Sequence, residues 1–335
     1  MGVVDDVQRK LFEARCREQG NGPQLRASTM THVAWVPPVW LERGRRVLAA
    51  LEERHPARTI ILVPEPRGTT RVDARVLVRD FDAPDGREVL SEVVELRLHG
   101  ASARHPGSLV LPLLISDLPA FCRWRGEPGW DGTALTELVS ACDRLVVDSS
   151  EWPAPARRYA RLARLFDSLA VSDLAWRRGL RWRAALAEHW LAIRRMQQLT
   201  VEGPTADAEL LAGWLRSRLR RPIALGHRPA TSLVAVEVDG ERVPRPAVPR
   251  LRASEQLSAE LDTLTRDPVY EAAVRAVSRA TRAAFRGGGR STRPPSPRRP
   301  AATATSGATC SSPRARWTGR STPWACRSGT WPQSR

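Results

Sequence analysis

The chain has 335 residues, 42% of them hydrophobic, which is enough for two ordinary domains with a sizeable core and excludes a wholly disordered protein. The longest apolar run, at residues 109–115, is too short to cross a bilayer. Residues 1–16 carry acidic groups and no apolar stretch, so we expect no secretory signal and a cytoplasmic protein.

The formal charge of +17 is divided unevenly along the chain. Residues 286–335 contain ten arginines, no Asp or Glu, and no Leu, Ile, Val, Met, Phe or Tyr. Such a segment cannot bury enough apolar surface to offset its conformational entropy, so we predict a disordered Arg/Pro/Ser/Gly tail over 286–335. An out-of-frame reading of a GC-rich gene would encode the same composition. A tail that binds nucleic acid through its arginines and aromatic residues is the alternative.

The body is predicted to be a mixed α and β protein with two subdomains. Residues 1–27 are predicted to form a helix and a polar turn, and residues 28–152 an N-terminal α/β sheet domain. The predicted elements of that domain are a strand at 33–36, a helix at 41–51, a strand at 59–63, an antiparallel hairpin of strands at 71–78 and 94–98, buried segments at 109–115, 120–124 and 145–147, and a helix at 135–141.

After Trp152 the apolar spacing becomes helical, which predicts a smaller, helix-rich α+β C-terminal domain at residues 153–285. Helices are predicted over 159–169 and 182–190, and a third between a cap at Thr205 and a stop at Pro222. A strand at 233–238 enters a hairpin at Asp239-Gly240. Thr205, Ser254 and Asp267 are the predicted N-caps of helices in this part of the chain.

Several residue patterns typical of catalytic sites are missing. Lys10 is the only lysine and lies outside any Gly-rich loop, which argues against a Walker phosphate loop or a Schiff-base lysine. No Gly-x-Gly-x-x-Gly, Gly-x-Ser-x-Gly, Cys-x-x-Cys or His-Glu-x-x-His motif occurs. We therefore expect no catalytic residue, no cofactor and no metal site.

Tryptophan is frequent, and three tryptophans lie in polar loops rich in Gly and Pro. Trp124, Trp130 and Trp152 are close in sequence to Arg125 and Asp148. Aromatic residues beside arginine on loops are typical of protein–protein hot spots, and core packing is the alternative for the same residues.

These segments also resemble a known family. The stretches 112–119 (PLLISDLP), 124–128 (WRGEP) and 143–149 (DRLVVDS) are similar to the OpcA family of glucose-6-phosphate dehydrogenase assembly proteins, as are 55–58 (HPAR), 173–176 (DLAW) and 210–215 (LLAGWL). The similar segments follow the family's order over residues 2–280. The resemblance implies a non-enzymatic partner of glucose-6-phosphate dehydrogenase that promotes its active oligomer and raises its activity, supporting NADPH production in the oxidative pentose phosphate pathway.

Motif position under this resemblance, together with loop context, indicates the partner-binding residues Trp124, Arg125, Asp148, Ser149, Trp176 and Arg183. We expect glucose-6-phosphate dehydrogenase as the partner, and neither a membrane nor nucleic acid. The alternatives are an arginine-rich nucleic-acid-binding protein, whose binding would depend steeply on salt and require residues 286–335, and a sugar-phosphate enzyme that would turn over without added dehydrogenase.

Overall fold

Seven strands form the larger of two sheets in a computed structural model that describes residues 2–18, 28–52, 54–82, 88–247, 249 and 251–287. Their bounds are β1 (Met30–Trp35), β2 (Ala57–Glu65), β3 (Arg71–Asp82), β4 (Glu88–His99), β5 (Ala120–Trp124), β6 (Arg144–Val147) and β7 (Ala170–Asp173). The order in space is β3-β4-β2-β1-β5-β6-β7. Neighbouring strands are parallel except at the edge, where β3 is antiparallel to β4.

The predicted antiparallel hairpin is confirmed as β3 and β4. Its register pairs Val72 with Leu98 and Val76 with Val94, so the apolar residues of the two strands share one face. Val94 and Leu98 are fully buried because that face packs into the core. The connecting turn at residues 84–86 lies outside the described residues.

Helices cover both faces of this sheet, as expected for a sheet of mainly parallel strands. Alternate residues of β1 enter two different cores: Val33 and Trp35 face one, and Ala34 faces the other. The helices of this part are α1 (Val3–Glu18), α2 (Leu41–Ala49), α3 (Gly107–Val110), α4 (Thr133–Ala141), α5 (Pro155–Leu165) and α6 (Leu174–Arg178). Short 3-10 turns lie at Pro38–Trp40, Gly100–Ala103, Leu111–Leu113 and Ser149–Glu151.

The rest of the described chain is helix-rich and contains a four-stranded sheet. The strands are β8 (Gln198–Gly203), β9 (Ala224–Pro229), β10 (Ala235–Val238) and β11 (Glu241–Arg242), in the order β11-β10-β8-β9. The helices are α7 (Leu180–Glu188), α8 (Trp190–Ile193), α9 (Thr205–Leu219), α10 (Ala253–Leu261) and α11 (Pro268–Gly287). Asp239 and Gly240 both have positive φ, which confirms the predicted tight hairpin between β10 and β11.

Three local predictions need correction. The helix expected over 182–190 is two helices, because His189 leaves the helical region between α7 and α8. Thr205 is the first helical residue of α9, after Pro204 at the N-cap position, and Ser254 lies inside α10. The Asp267 cap is confirmed: its Oδ1 accepts from the backbone N–H groups of residues 269 and 270, at 2.9 and 3.0 Å.

The mixed α/β fold class is confirmed. β7 lies beyond residue 152 and is the edge strand of the seven-stranded sheet. The division into two domains at Trp152 stays a prediction. The predicted turn at 19–22 lies outside the described residues. The tail predicted over 286–335 begins two residues too early, because residues 286 and 287 belong to α11, and its remainder lies outside the described residues. Within the described part of the chain, no helix is both long and apolar enough to span a membrane.

Candidate functional site

The strand order of the large sheet reverses between β1 and β5. From β1 the chain moves outward through β2 to β4, and from β5 it moves the other way through β6 to β7. Ligands of doubly wound sheets bind outside the carboxyl ends of the strands at such a switch point. A cavity of about 260 Å³ lies here, and we call it the switch-point crevice. Its lining includes Ala34 and Val36 from β1 and the residue after it, Arg123 and Arg125 from β5 and the residue after it, Asp148, Glu151 and Arg178, under residues of α2 and α10.

Glu151 holds two arginines at the carboxyl end of β5. Its Oε1 accepts from Nη2 of Arg123 at 3.0 Å and from Nη2 of Arg125 at 2.9 Å, and its Oε2 accepts from the backbone N–H of Gly126 at 2.7 Å. The three charged side chains are largely buried, so the single carboxylate leaves an excess of one positive charge in a weakly screened environment.

Arg125 is only partly satisfied by these bonds. Its Nε is buried and has no hydrogen-bond partner among the described residues. Its guanidinium carbon lies 4.7 Å from the ring centroid of Trp40, within the range of a cation–π interaction. Burial, opposed by Glu151 and reinforced by the nearby charges of Arg123 and Arg43, lowers the pKa of Arg125 below its usual value. The Arg125 side chain is therefore well placed to bind an anion.

Asp148 forms the opposite wall with Arg178 of α6. Arg178 donates from Nη1 and Nη2 to the two carboxylate oxygens, both at 2.9 Å, in a bidentate pair. Burial raises the pKa of Asp148, but the bonds from Arg178 more than offset it and bring the pKa to about 2. Arg178 also donates to the buried carboxylate of Asp207 at 3.3 Å, so α6 is tied to both β6 and α9.

Asp173 lies behind this wall at the end of β7. Its Oδ1 accepts from the backbone N–H groups of Ser149 at 3.0 Å and Ala175 at 2.9 Å, which joins the ends of β6 and β7. Complete burial, with a further contribution from the charge of Asp148, raises the pKa of Asp173 to about 7. The Ser149 hydroxyl lies 2.8 Å from the Tyr159 hydroxyl in the same buried region.

A second cluster lies on α6 and α7, beside a separate cavity of about 340 Å³. The guanidinium carbon of Arg183 lies 3.3 Å from the ring centroid of Trp176, and Arg183 Nη1 donates to the backbone oxygen of Trp176 at 2.7 Å. Trp176 Nε1 donates to Oδ2 of Asp267 at 2.8 Å. Burial lowers the pKa of Arg183 to about 9. This cluster fastens the start of α11 to the edge of the large sheet.

The six predicted site residues fall into these two clusters. All six are 9% exposed or less, and Trp124 is buried under a stack with Trp35. Sequence reasoning missed four charged residues of the switch-point crevice, namely Arg43, Arg123, Glu151 and Arg178. Arg178 could have been found, because it follows the 173–176 motif by two residues, whereas no sequence signal distinguishes Arg43 from other helical arginines.

The charged side chains that line the switch-point crevice are suited to binding a ligand. Four of its lining residues are arginines and two are carboxylates, and both carboxylates are held by arginine. In the described part of the chain, no three His, Cys, Asp or Glu side chains are grouped as metal ligands. Cys122 and Cys142 are buried thiols, and Cys16 is exposed.

The fold is that of a doubly wound α/β protein with an arginine-rich crevice at the switch point of its sheet. Two models of one family match most of the body: the glucose-6-phosphate dehydrogenase subunit N-terminal domain matches residues 49–164, and the C-terminal domain of the same subunit matches residues 169–274. The chain belongs to the OpcA family.

Cyanobacterial relatives agree with this assignment. A protein of Nostoc punctiforme, provisionally named OxPP cycle protein OpcA, is 28% identical over 186 residues, covering 52% of this chain and 40% of the relative. A protein of the same name from Synechococcus elongatus is 26% identical over 53% of this chain and 42% of the relative. The matched region thus spans about two fifths of the curated relatives. The structure of aspartate semialdehyde dehydrogenase II from Vibrio cholerae aligns over 77% of this chain and 99% of its own chain at 12% identity. The TM-score of 0.25 is too low to indicate a shared fold.

Proposed function

We propose that the protein is a non-enzymatic assembly factor that binds glucose-6-phosphate dehydrogenase and favours its active oligomer. The observation that carries the proposal is the match of two dehydrogenase-subunit family models over residues 49–164 and 169–274. A protein that binds an oligomer more tightly than its free subunits shifts the assembly equilibrium by that difference in affinity. We expect the protein to raise the activity of the dehydrogenase through this shift in its assembly equilibrium.

An apolar groove beside the crevice is the proposed docking surface. It has a volume of about 250 Å³, and we call it the α7 groove. Leu180 and Leu251 line it and are 51% and 46% exposed, although large apolar side chains are normally buried. Its lining also includes Arg177, Arg178, Arg181, Ala184, Leu233, Pro249 and Gln256. Apolar side chains rimmed by arginine fit a partner surface that presents apolar and acidic residues.

The six residues Trp124, Arg125, Asp148, Ser149, Trp176 and Arg183 remain our proposed determinants of partner binding. Because they are almost completely buried, we assign most of them a positioning role. Asp148 holds Arg178, which lines the α7 groove, and Arg183 fixes α7 against Trp176. Changes at these residues are expected to act on the partner through the orientation of α6 and α7.

Arginine-driven binding of nucleic acid is the alternative. Many arginines of the body are engaged in internal ion pairs and are therefore not available to an external polyanion. The buried or half-buried examples are Arg45 with Glu95, Arg58 with Glu92, Arg123 with Glu151, Arg144 with Glu260, Arg177 with Glu260, and Arg178 with Asp148.

The test is the activity of the purified cognate dehydrogenase over a range of subunit concentrations, with and without the full chain. Activation is expected to be largest at low subunit concentration, where the oligomer is least populated. The chain alone should show no dehydrogenase activity. Unchanged activity at every concentration, with no complex on size-exclusion chromatography, would exclude the assembly role.

Leu180→Glu tests the docking surface, because it places a charge in the α7 groove at an exposed position. Activation should fall at least about tenfold in potency, as expected when a buried interface contact is replaced by a desolvated charge. Leu191→Glu is the matched control, since Leu191 is 80% exposed on the neighbouring helix α8 and does not line the groove. Equal potency of the two variants would show that the dehydrogenase does not bind at the α7 groove.

A further inference from the structure

The switch-point crevice has the features of a ligand site that the proposed assembly role does not use. Its lining carries four arginines, Arg43, Arg123, Arg125 and Arg178, against the two carboxylates Asp148 and Glu151. Arg178 is also bound to the buried carboxylate of Asp207, so one positive charge is left in excess, and Arg43 is the exposed member of the set. Buried like charges are unfavourable unless a counter-charge is supplied. An anionic ligand would supply it.

The unused hydrogen-bonding capacity lies on one side of the crevice. Arg43 and Arg125 both approach the ring of Trp40, with guanidinium carbons 5.9 and 4.7 Å from its centroid. Arg125 also contributes the buried Nε that has no partner among the described residues. Arg123 and Arg178 are held by carboxylates, and Arg125 is bound to Glu151 through Nη2 alone. Arg43 and the remaining N–H groups of Arg125 are therefore the donors available to a ligand.

Part of the crevice wall is apolar. It could cover the carbon skeleton of a small molecule, while polar groups of that molecule face the arginines. The apolar lining includes Ala34, Val36, Val47, Leu48, Leu174 and Leu257.

The local sequence argues against a dinucleotide. A dinucleotide site of a doubly wound sheet binds the pyrophosphate through backbone N–H groups of a Gly-rich turn after the first strand. Here β1 is followed by Val36, Pro37 and Pro38, and proline has no backbone N–H to donate. A volume of about 260 Å³ is also at the small end of ligand pockets, which run from about 300 to 1,000 Å³. Side-chain guanidinium groups are therefore the donors available for an anion.

We propose that the switch-point crevice binds a small phosphate monoester, with Arg43 and Arg125 holding the phosphate and the apolar wall covering the carbon skeleton. A phosphate monoester, with a charge of about −1.5 to −2 at neutral pH, would neutralise the positive excess of the crevice. Guanidinium groups suit its oxygens because they can donate two parallel hydrogen bonds. The site is a property of this chain alone and does not depend on the dehydrogenase.

The direct test is calorimetric titration of the purified full chain, without dehydrogenase, at constant ionic strength. Glucose 6-phosphate is the phosphomonoester probe, and glucose, inorganic phosphate and NADP⁺ are the comparison ligands. We expect glucose 6-phosphate to bind more tightly than inorganic phosphate, and glucose not to bind. No binding of either phosphate up to about 10 mM, or tighter binding of NADP⁺ than of glucose 6-phosphate, would overturn the proposal.

Variants locate the binding in the crevice. Arg43→Gln and Arg125→Gln should each weaken binding of glucose 6-phosphate about tenfold or more, the effect of losing one charge-assisted hydrogen bond. Arg46→Gln is the matched control, because Arg46 is exposed on the same helix and does not line the crevice. If Arg125→Gln fails to fold, the exposed Arg43 decides the test. Wild-type affinity of Arg43→Gln for glucose 6-phosphate would contradict binding in the crevice. An equal loss of affinity in Arg46→Gln would contradict it too.

Discussion

The indole rings of Trp35 and Trp124 stack with their centroids 4.6 Å apart and their planes 16° apart. Trp35 ends β1 and Trp124 ends β5, and the two residues are direct partners in the parallel register. The stack thus joins the two strands between which the sheet reverses its order, and it belongs to the core opposite to the one that contains Ala34 of the switch-point crevice. It makes Trp124 a structural residue of the site.

Trp124→Ala is expected to destabilise the protein by about 3–5 kcal/mol, because it empties a large buried volume. Trp124→Phe should cost less, since an aromatic ring remains to stack on Trp35. Urea unfolding of both variants and of a double-mutant cycle with Trp35→Phe measures these costs. A loss below about 1 kcal/mol for Trp124→Ala would contradict the stack as a stabilising contact. Because of this cost, Arg125→Ala alone is a better probe of partner binding than a variant that also removes Trp124.

Asp148→Asn should be destabilising because it removes the shorter of the two carboxylate pairs of the buried Arg178 and leaves Asp207, at 3.3 Å, as the remaining carboxylate partner. Removing one partner of a buried ion pair costs about 3–5 kcal/mol when the other is left unpaired, so we expect a loss towards the lower end of this range. Asp131→Asn is the control, since its pair with Arg161 is exposed and should contribute less than about 1 kcal/mol. Similar unfolding free energies for the two variants would show that Arg178 does not depend on Asp148.

Acidification should destabilise the protein through Asp148. Its pKa is about 2 in the folded protein, against an ordinary value of about 3.9 for unfolded chains. The contribution is therefore fully present above about pH 4 and is lost as the pH falls towards 2. Unfolding free energies of wild type and Asp148→Asn should converge over this range, and a constant difference between them would contradict the assignment.

Asp173 is expected to have the opposite effect at higher pH. Its folded pKa of about 7 means that the folded protein keeps the proton between about pH 4 and pH 7 while the unfolded chain releases it. Stability from this group therefore falls as the pH rises through that window. Asp173→Asn should remove the dependence, so the variant should gain stability relative to wild type between pH 5 and pH 8. Parallel pH profiles of the two proteins would show that Asp173 ionises normally.

Gly213→Ala is expected to destabilise the protein, although alanine is favoured over glycine in a helix by about 1 kcal/mol. A Cβ at this position of α9 would lie 2.5 Å from the backbone oxygen of Ala273 and 2.6 Å from Cγ2 of Val277 on α11. Overpacking of this kind costs about 1–3 kcal/mol. Gly129→Ala is the control, because nothing lies within 4 Å of its Cβ position. Stabilisation by Gly213→Ala, measured as a rise in Tm, would show that α9 and α11 can separate.

Local sequence patterns predicted much of the large sheet correctly. Alternation at 71–78 and 94–98 predicted the β3–β4 hairpin, and a continuous apolar run predicted β2. The segments that form β5 and β6 were predicted as buried, without an assignment to strands. The same reasoning missed β7, β8 and β9. These strands are short or only partly buried, and they are stabilised by pairing with strands that are distant in sequence. A period of two is a weak signal over four to six residues.

The sequence alone determined the mixed α/β class, the shortage of familiar catalytic motifs and the family motifs that include Trp124, Asp148 and Trp176. Only the tertiary structure decided that Glu151 is shared by Arg123 and Arg125, and that Arg178 crosses to Asp148. The physical reason is that helix and strand propensities act over a few residues. Ion pairs spanning 26 to 30 residues depend instead on which strands lie side by side and at which edge they end.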